Sequence, residues 1–177
     1  MLTFLVGGAR SGKSALALEL ATDHAGTVTF IATSPRIEGD ADLDDRIDAH
    51  RAERPASWTT IEEPHDLAAA LAVAADSFVI VDCVTLWVSN LLWRGDEEHV
   101  ITAAAREAAA AVAVRAAPTV VISNEVGLGV HPETDVGRQF RDVLGRVNQI
   151  WAAAADRSLL LVAGRALPLH DPRTVLA

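Results

Sequence analysis

Residues 2–14 read Leu2-Thr3-Phe4-Leu5-Val6-Gly7-Gly8-Ala9-Arg10-Ser11-Gly12-Lys13-Ser14. An apolar run of strand length meets glycines and then a helix-favouring stretch, and residues 7–14 satisfy G-x-x-x-x-G-K-[ST] in full. The physics of that pattern is direct. Gly7, Gly8 and Gly12 free the backbone to turn successive N–H groups into one concavity, with Ala9, Arg10 and Ser11 completing the loop. The start of the following helix adds the positive end of its dipole, so a polyphosphate is held by the main chain. Lys13 supplies a point charge to the outer phosphates, and the Ser14 hydroxyl is the expected Mg²⁺ ligand. The stretch implies a nucleoside triphosphate bound just after the first strand.

Working outward, residues 28–32, 78–81, 119–123 and 159–162 are further short, nearly continuous apolar runs, the pattern of strands covered on both faces of a parallel sheet. Residues 58–61 are a weaker candidate. Helix patterns lie between them at 13–24, 42–54, 66–75, 97–116 and 135–155. The alternation predicts an α/β fold, a doubly wound, mostly parallel sheet flanked by helices, and the loop at 7–14 adds the expectation of the P-loop NTPase (RecA-like) class. With 177 residues, no internal repeat and no charge block marking a linker, residues 1–177 are expected to form a single nucleotide-binding domain.

Composition narrows the partners. Half the residues are hydrophobic, enough for a core. Fifteen Lys and Arg stand against twenty-four Asp and Glu, a net charge of −9, which argues against a nucleic-acid footprint but not against one small cationic pocket. The single cysteine, Cys83, excludes an internal disulfide and is read as a small buried packing residue. The most apolar segment, 67–81, is broken by Asp76 and Ser77, so no membrane span is expected. Residues 1–6 carry no basic leader, and the expected compartment is the cytoplasm.

A phosphate loop calls for a second acidic group at the end of a neighbouring strand. Phe78-Val79-Ile80-Val81-Asp82 ends in such a carboxylate, placed to hold Mg²⁺ directly or through water. Two local sequences argue against a regulatory GTPase. Asp82 precedes Cys83, Val84 and Thr85 where a switch glycine is required, and Asn124 precedes Glu125 where a guanine reader needs lysine. In the polar segment 40–54, Leu43, Ile47, His50 and Arg54 recur along one helical face. On residue types alone, His50 is either a half-buried helix histidine or a nucleophile toward phosphorus flanked by Arg51 and Arg54.

Taken together, several segments resemble the bifunctional adenosylcobinamide kinase/adenosylcobinamide-phosphate guanylyltransferase family of cobalamin biosynthesis. They are the loop at 7–14, then Ile31-Ala32-Thr33-Ser34, then Arg46-Ile47-Asp48-Ala49-His50-Arg51-Ala52-Glu53-Arg54-Pro55 with Trp58 and Glu62. Next come Asp82-Cys83-Val84-Thr85 with Asn90-Leu91-Leu92, then Ser123-Asn124-Glu125-Val126-Gly127-Leu128-Gly129-Val130. Arg138-Gln139-Phe140-Arg141-Asp142 and Gly145-Arg146-Val147-Asn148-Gln149 complete the match, in order, over nearly the whole chain. The phosphate loop is generic, whereas the His50–Pro55 and Asn124–Gly127 segments are distinctive.

The resemblance implies an enzyme that phosphorylates adenosylcobinamide with ATP or GTP. It would then transfer the guanylyl group of GTP to the resulting phosphate through a covalent histidine, which falls at His50. It further implies nucleotide contacts from residues 7–14, from Ala32, Thr33 and Ser34, from Arg51, Ala52, Glu53 and Arg54, and from Glu62 and Asp82, and it implies a homotrimer. In one departure, Ala49 occupies the place where members of the family can carry a second histidine. In another, the tail after Gly164 matches nothing usable. The alternative is a phosphate-loop kinase of another small metabolite, with no guanylyltransferase activity and a structural His50.

Overall fold

The computed structural model describes residues 1–35, 51, 54–74 and 76–176. Seven strands form one sheet: β1 (Leu2–Gly7), β2 (Val28–Ala32), β3 (Thr59–Glu62), β4 (Phe78–Asp82), β5 (Thr119–Asn124), β6 (Arg157–Val162) and β7 (Arg165–Leu169), in the order β3-β2-β4-β5-β1-β6-β7. All pairings are parallel except β6–β7. The described helices are α1 (Lys13–Thr22), α2 (Leu67–Val73), α3 (Val84–Arg94), α4 (Glu98–Ala113), α5 (Asp135–Ala154) and the short α6 (Pro172–Val175).

The pleat divides the core in two. Leu2, Phe4 and Val6 of β1, with Val79 and Val81 of β4, pack under α2, α3, α4 and α5. Leu5, Phe78, Ile80, Val120 and Ile122 point the other way and meet Ala17 and Ala21 of α1. Successive strand residues face opposite sides, which is why the central strands read as unbroken apolar runs. The doubly wound reading therefore holds, and its physical sign is a core on each face.

Helix ends obey local chemistry. Asp66 caps α2 by accepting from the Ala69 N–H, and Thr134 caps α5 by accepting from the Gly137 N–H. Helix α3 ends on Gly95, whose left-handed φ of 93° lets the chain leave the helix.

Three elements differ from the sequence expectation. Helix α3 was not foreseen, although Val84, Trp87, Val88 and Leu91 are buried at helical spacing. Strand β7 and helix α6 arise from the tail that offered no readable pattern, and β7 is exposed along its whole length. The expected helix over 42–54, except for Arg51 and Arg54, lies outside the described residues, as do His50, Ala52 and Glu53.

Candidate active site

The parallel strands β1, β2, β4, β5 and β6 bring their C-terminal ends to one edge of the sheet, and the phosphate loop leaves β1 there. Gly7 has no room for a side chain: a Cβ would stand 2.3 Å from the Leu161 carbonyl oxygen. Arg10 (φ 55°) and Gly12 (φ 100°) take left-handed conformations, the local turns that wrap a chain around an anion. Gly8, Ala9 and Arg10 form the exposed rim, while Gly7, Ser11 and Lys13 are buried.

Lys13 opens α1, and its ammonium lies against its own loop. Nζ donates to the Gly7 carbonyl at 3.0 Å and to the Gly8 carbonyl at 2.7 Å, with Ser11 Oγ at 3.4 Å. Burial pushes its pKa below the ordinary 10.5, while Cys83 and Asp82 pull in the opposite direction. Among the described residues its hydrogen-bond acceptors are neutral oxygens, and a buried cation so placed attracts an anion. One residue on, Ser14 Oγ donates to Asp82 Oδ2 at 3.1 Å.

The sequence places Asp82 on a neighbouring strand, but β5 separates β4 from β1. The two still meet because α1 packs across β5 and β4 as well as β1, which carries Ser14 over the intervening strand. Two hard oxygen donors at this separation fit a small divalent cation such as Mg²⁺.

Around this centre the other expected residues divide by position. Thr33 is fully buried and its hydroxyl is engaged twice, donating to the Cys83 carbonyl and accepting from the Cys83 N–H, each at 2.8 Å. Its N–H reaches the Asp82 carbonyl, and its carbonyl accepts from Asn90 Nδ2. Thr33 thus locks the exit of β2 to the exit of β4, with Ala32 and Ser34 on either side. Glu62 ends β3, and Arg51 lies 3.9 Å from it with both side chains half exposed. The Arg54 guanidinium stacks over the Phe30 ring at 3.4 Å from the centroid. Cys83 is buried, as expected of a packing residue, and its thiol is pushed up to about 11 by burial first and by Asp82 second.

A polar network that sequence reasoning did not assign supports the loop from the β5 side. Thr85 Oγ1 accepts from the Asn124 N–H, and Ser123 Oγ donates to Asn148 Oδ1 at 2.6 Å. Asn148 Nδ2 in turn donates to the Asn124 carbonyl. The next residue, Glu125, donates its N–H to the Gly7 carbonyl. The available signal was polar residues on otherwise buried faces: Asn148 sits on the apolar face of α5 between Leu144 and Trp151.

Among the described residues, no group of His, Cys, Asp and Glu side chains is arranged to hold a metal without substrate. His24, His65, His99, His131 and His170 lie away from the Ser14–Asp82 pair in sequence and contribute no such cluster.

The comparisons with known proteins agree over most of the chain. A family model described as cobinamide kinase / cobinamide phosphate guanyltransferase matches residues 3–169. The bifunctional adenosylcobalamin biosynthesis protein CobP of Pseudomonas aeruginosa is 40% identical over 172 residues, covering 96% of this chain and 97% of that protein. The proteins named CobU, with the same description, are 38% identical in Escherichia coli and 39% identical in Salmonella typhimurium, each match covering 93% of this chain and 97% of the relative. Among solved structures, an ATPase from the type III secretion system of pathogenic bacteria gives a TM-score of 0.58 at 11% identity, over 91% of this chain and 51% of that one. That likeness shows the fold alone, a RecA-like P-loop architecture.

Proposed function

The chain belongs to the cobinamide kinase / cobinamide phosphate guanyltransferase family, and on that premise we propose one nucleotide site that serves two successive reactions. In the first, the γ-phosphoryl group of ATP or GTP passes to the aminopropanol hydroxyl of adenosylcobinamide. In the second, GTP gives its guanylyl group to the new phosphate, forming adenosylcobinamide-GDP and releasing pyrophosphate.

One observation carries the reading: a buried Lys13 ammonium held by loop carbonyls, directly beside the Ser14–Asp82 oxygen pair. Phosphoryl transfer needs positioning and charge neutralisation more than covalent help from the protein, and this arrangement supplies both. Loop N–H groups hold the phosphates, and Lys13 leaves the Gly7 and Gly8 carbonyls to meet the outer ones. Ser14 and Asp82 would hold Mg²⁺, which supplies positive charge against the triphosphate.

For guanylyl transfer we assign His50 as nucleophile. A ring nitrogen bonds to the α-phosphorus as the bond from that phosphorus to the departing pyrophosphate breaks. A phosphate oxygen of adenosylcobinamide phosphate then attacks the same phosphorus, the nitrogen–phosphorus bond breaks, and the imidazole is restored. The sequence 46–55 supports this role, as do the positions of two nearby residues. Arg51, next after His50, lies beside Glu62 at the C-terminal end of β3, and Arg54 is anchored on Phe30 of β2. Residues 32–34, Ala52, Glu53 and Glu62 complete the proposed nucleotide surround. A cytoplasmic homotrimer belongs to the same reading, from the family resemblance. Among the described residues, no helix is long and apolar enough to cross a membrane.

The test is product analysis. With adenosylcobinamide, ATP and Mg²⁺ the protein should form adenosylcobinamide phosphate, and adding GTP should convert it to adenosylcobinamide-GDP with one pyrophosphate each. Arrest at the phosphate would leave a plain kinase, and no phosphate at all would overturn the assignment.

A further inference from the structure

We propose that the β6–β7 turn, Ala163-Gly164, is a positioning element of the phosphate loop, acting through the Gly164 N–H. The inference rests on the proposed nucleotide site and concerns a part of the chain with no assigned role. Strand β6 runs parallel to β1, so its C-terminal end emerges beside the loop, with Leu161 opposite Gly7. There the chain reverses in a two-residue hairpin, with Val162 paired to Arg165 across it. Ala163 (φ 51°) and Gly164 (φ 72°) are both left-handed, the conformation that matches the twist of the flanking strands.

In such a hairpin, cross-strand pairing uses the residues before and after the turn and leaves the second turn residue's N–H unused. Here that N–H donates to the Ser11 carbonyl at 3.0 Å. The turn also lies against the loop: a Cβ on Gly12 would stand at van der Waals contact, 3.4 Å, from Gly164 Cα.

Peptide planarity gives this contact its consequence. In a trans peptide the C=O and the next N–H point in opposite directions. Tying the Ser11 carbonyl to the hairpin from outside therefore turns the Gly12 N–H to the opposite side, into the cradle. Gly164 is thus a positioning residue for one of the phosphate-binding donors, and the exposed hairpin belongs functionally to the loop.

Binding linkage supplies the test, because a clamp that favours the binding-competent loop must itself be tightened by the ligand. In the wild-type protein, exchange of the Gly164 amide should slow on saturation with GTP and Mg²⁺, while that of Ala163 should not. Gly164→Val, a β-branched residue at positive φ, should raise the KM for GTP about fivefold, the worth of one hydrogen bond. The KM for the corrinoid should stay unchanged. Gly164→Asn, which tolerates the left-handed conformation, should restore wild-type behaviour. Should Gly164→Val fail to fold, the exchange measurement on the wild type decides alone. A lowered melting temperature with unchanged KM for GTP would make the turn merely structural and overturn the proposal, as would GTP-insensitive exchange at Gly164. A wild-type protein that does not bind GTP overturns the nucleotide site, and this inference with it. Normal GTP binding by the wild type, matched by both variants, overturns this inference alone.

Discussion

Ser14 Oγ reaches Asp82 Oδ2 at 3.1 Å, joining the first turn of α1 to the end of β4 across the intervening strand β5. The hydrogen bond holds together two oxygens that a divalent cation would share. Replacing the carboxylate by an amide keeps the shape and removes the charge. Asp82→Asn should therefore lower turnover in both reactions by about tenfold or more and raise the Mg²⁺ concentration for half-maximal rate. Ser14→Ala should shift the same titration less. An unchanged Mg²⁺ dependence in Asp82→Asn would remove this carboxylate from the metal site.

Lys13 gives the site a pH dependence whose sign is set by burial. The free protein holds the ammonium pKa below 10.5, and a bound triphosphate, being of opposite charge, raises it. Affinity should be full below the free-state value and fall as pH rises from there toward the bound-state value. Measuring the Kd of ATP, whose base does not titrate in this range, from about pH 7.5 to about pH 11 should show affinity declining once pH passes the free-state value, with proton uptake on binding there. A flat profile would contradict Lys13 as the phosphate-facing cation. Lys13→Ala should impair both reactions.

The clamp made by Thr33 is a matter of stability. Thr33→Val keeps the volume but leaves the Cys83 N–H without its acceptor inside the protein, while the Cys83 carbonyl keeps the Trp87 N–H as its donor. The expected loss is about 1–3 kcal/mol. Calorimetry should read this as an unfolding midpoint lowered by about 3–10 °C. A shift under about 2 °C would show that the Cys83 N–H finds another partner.

Cys83 should be inert in the native protein. With its thiol pushed up to about 11, only about one molecule in a thousand carries a thiolate at about pH 8. A thiol reagent should modify it slowly when folded and rapidly in denaturant. Fast native-state reaction would mean that the β4 exit opens on that timescale.

How much of this was legible beforehand differs by element. Strands β1, β2, β4 and β5 are covered on both faces, so burial alone wrote their apolar runs into the sequence, and the loop motif marked its own place among them. Helix α3 carries an equally clear period at Val84, Trp87, Val88 and Leu91, yet only Cys83 separates it from β4, and the two apolar stretches merge. Strand β7 buries nothing and contains Pro168, leaving no alternation to read. Its hairpin turns on Ala163 in a left-handed conformation that alanine rarely signals. The Ser14–Asp82 pair was legible as chemistry but not as topology, because a carboxylate at a strand end does not announce how many strands lie between.

Guanylyl transfer through a covalent intermediate depends on His50, and labelling with α-labelled GTP and Mg²⁺ in the absence of corrinoid tests that role most directly. Wild-type protein should acquire an acid-labile, alkali-stable guanylyl group. His50→Ala should acquire none while still phosphorylating adenosylcobinamide. A wild-type chain that stays unlabelled while active, or a His50→Ala variant that labels normally, would contradict the covalent route.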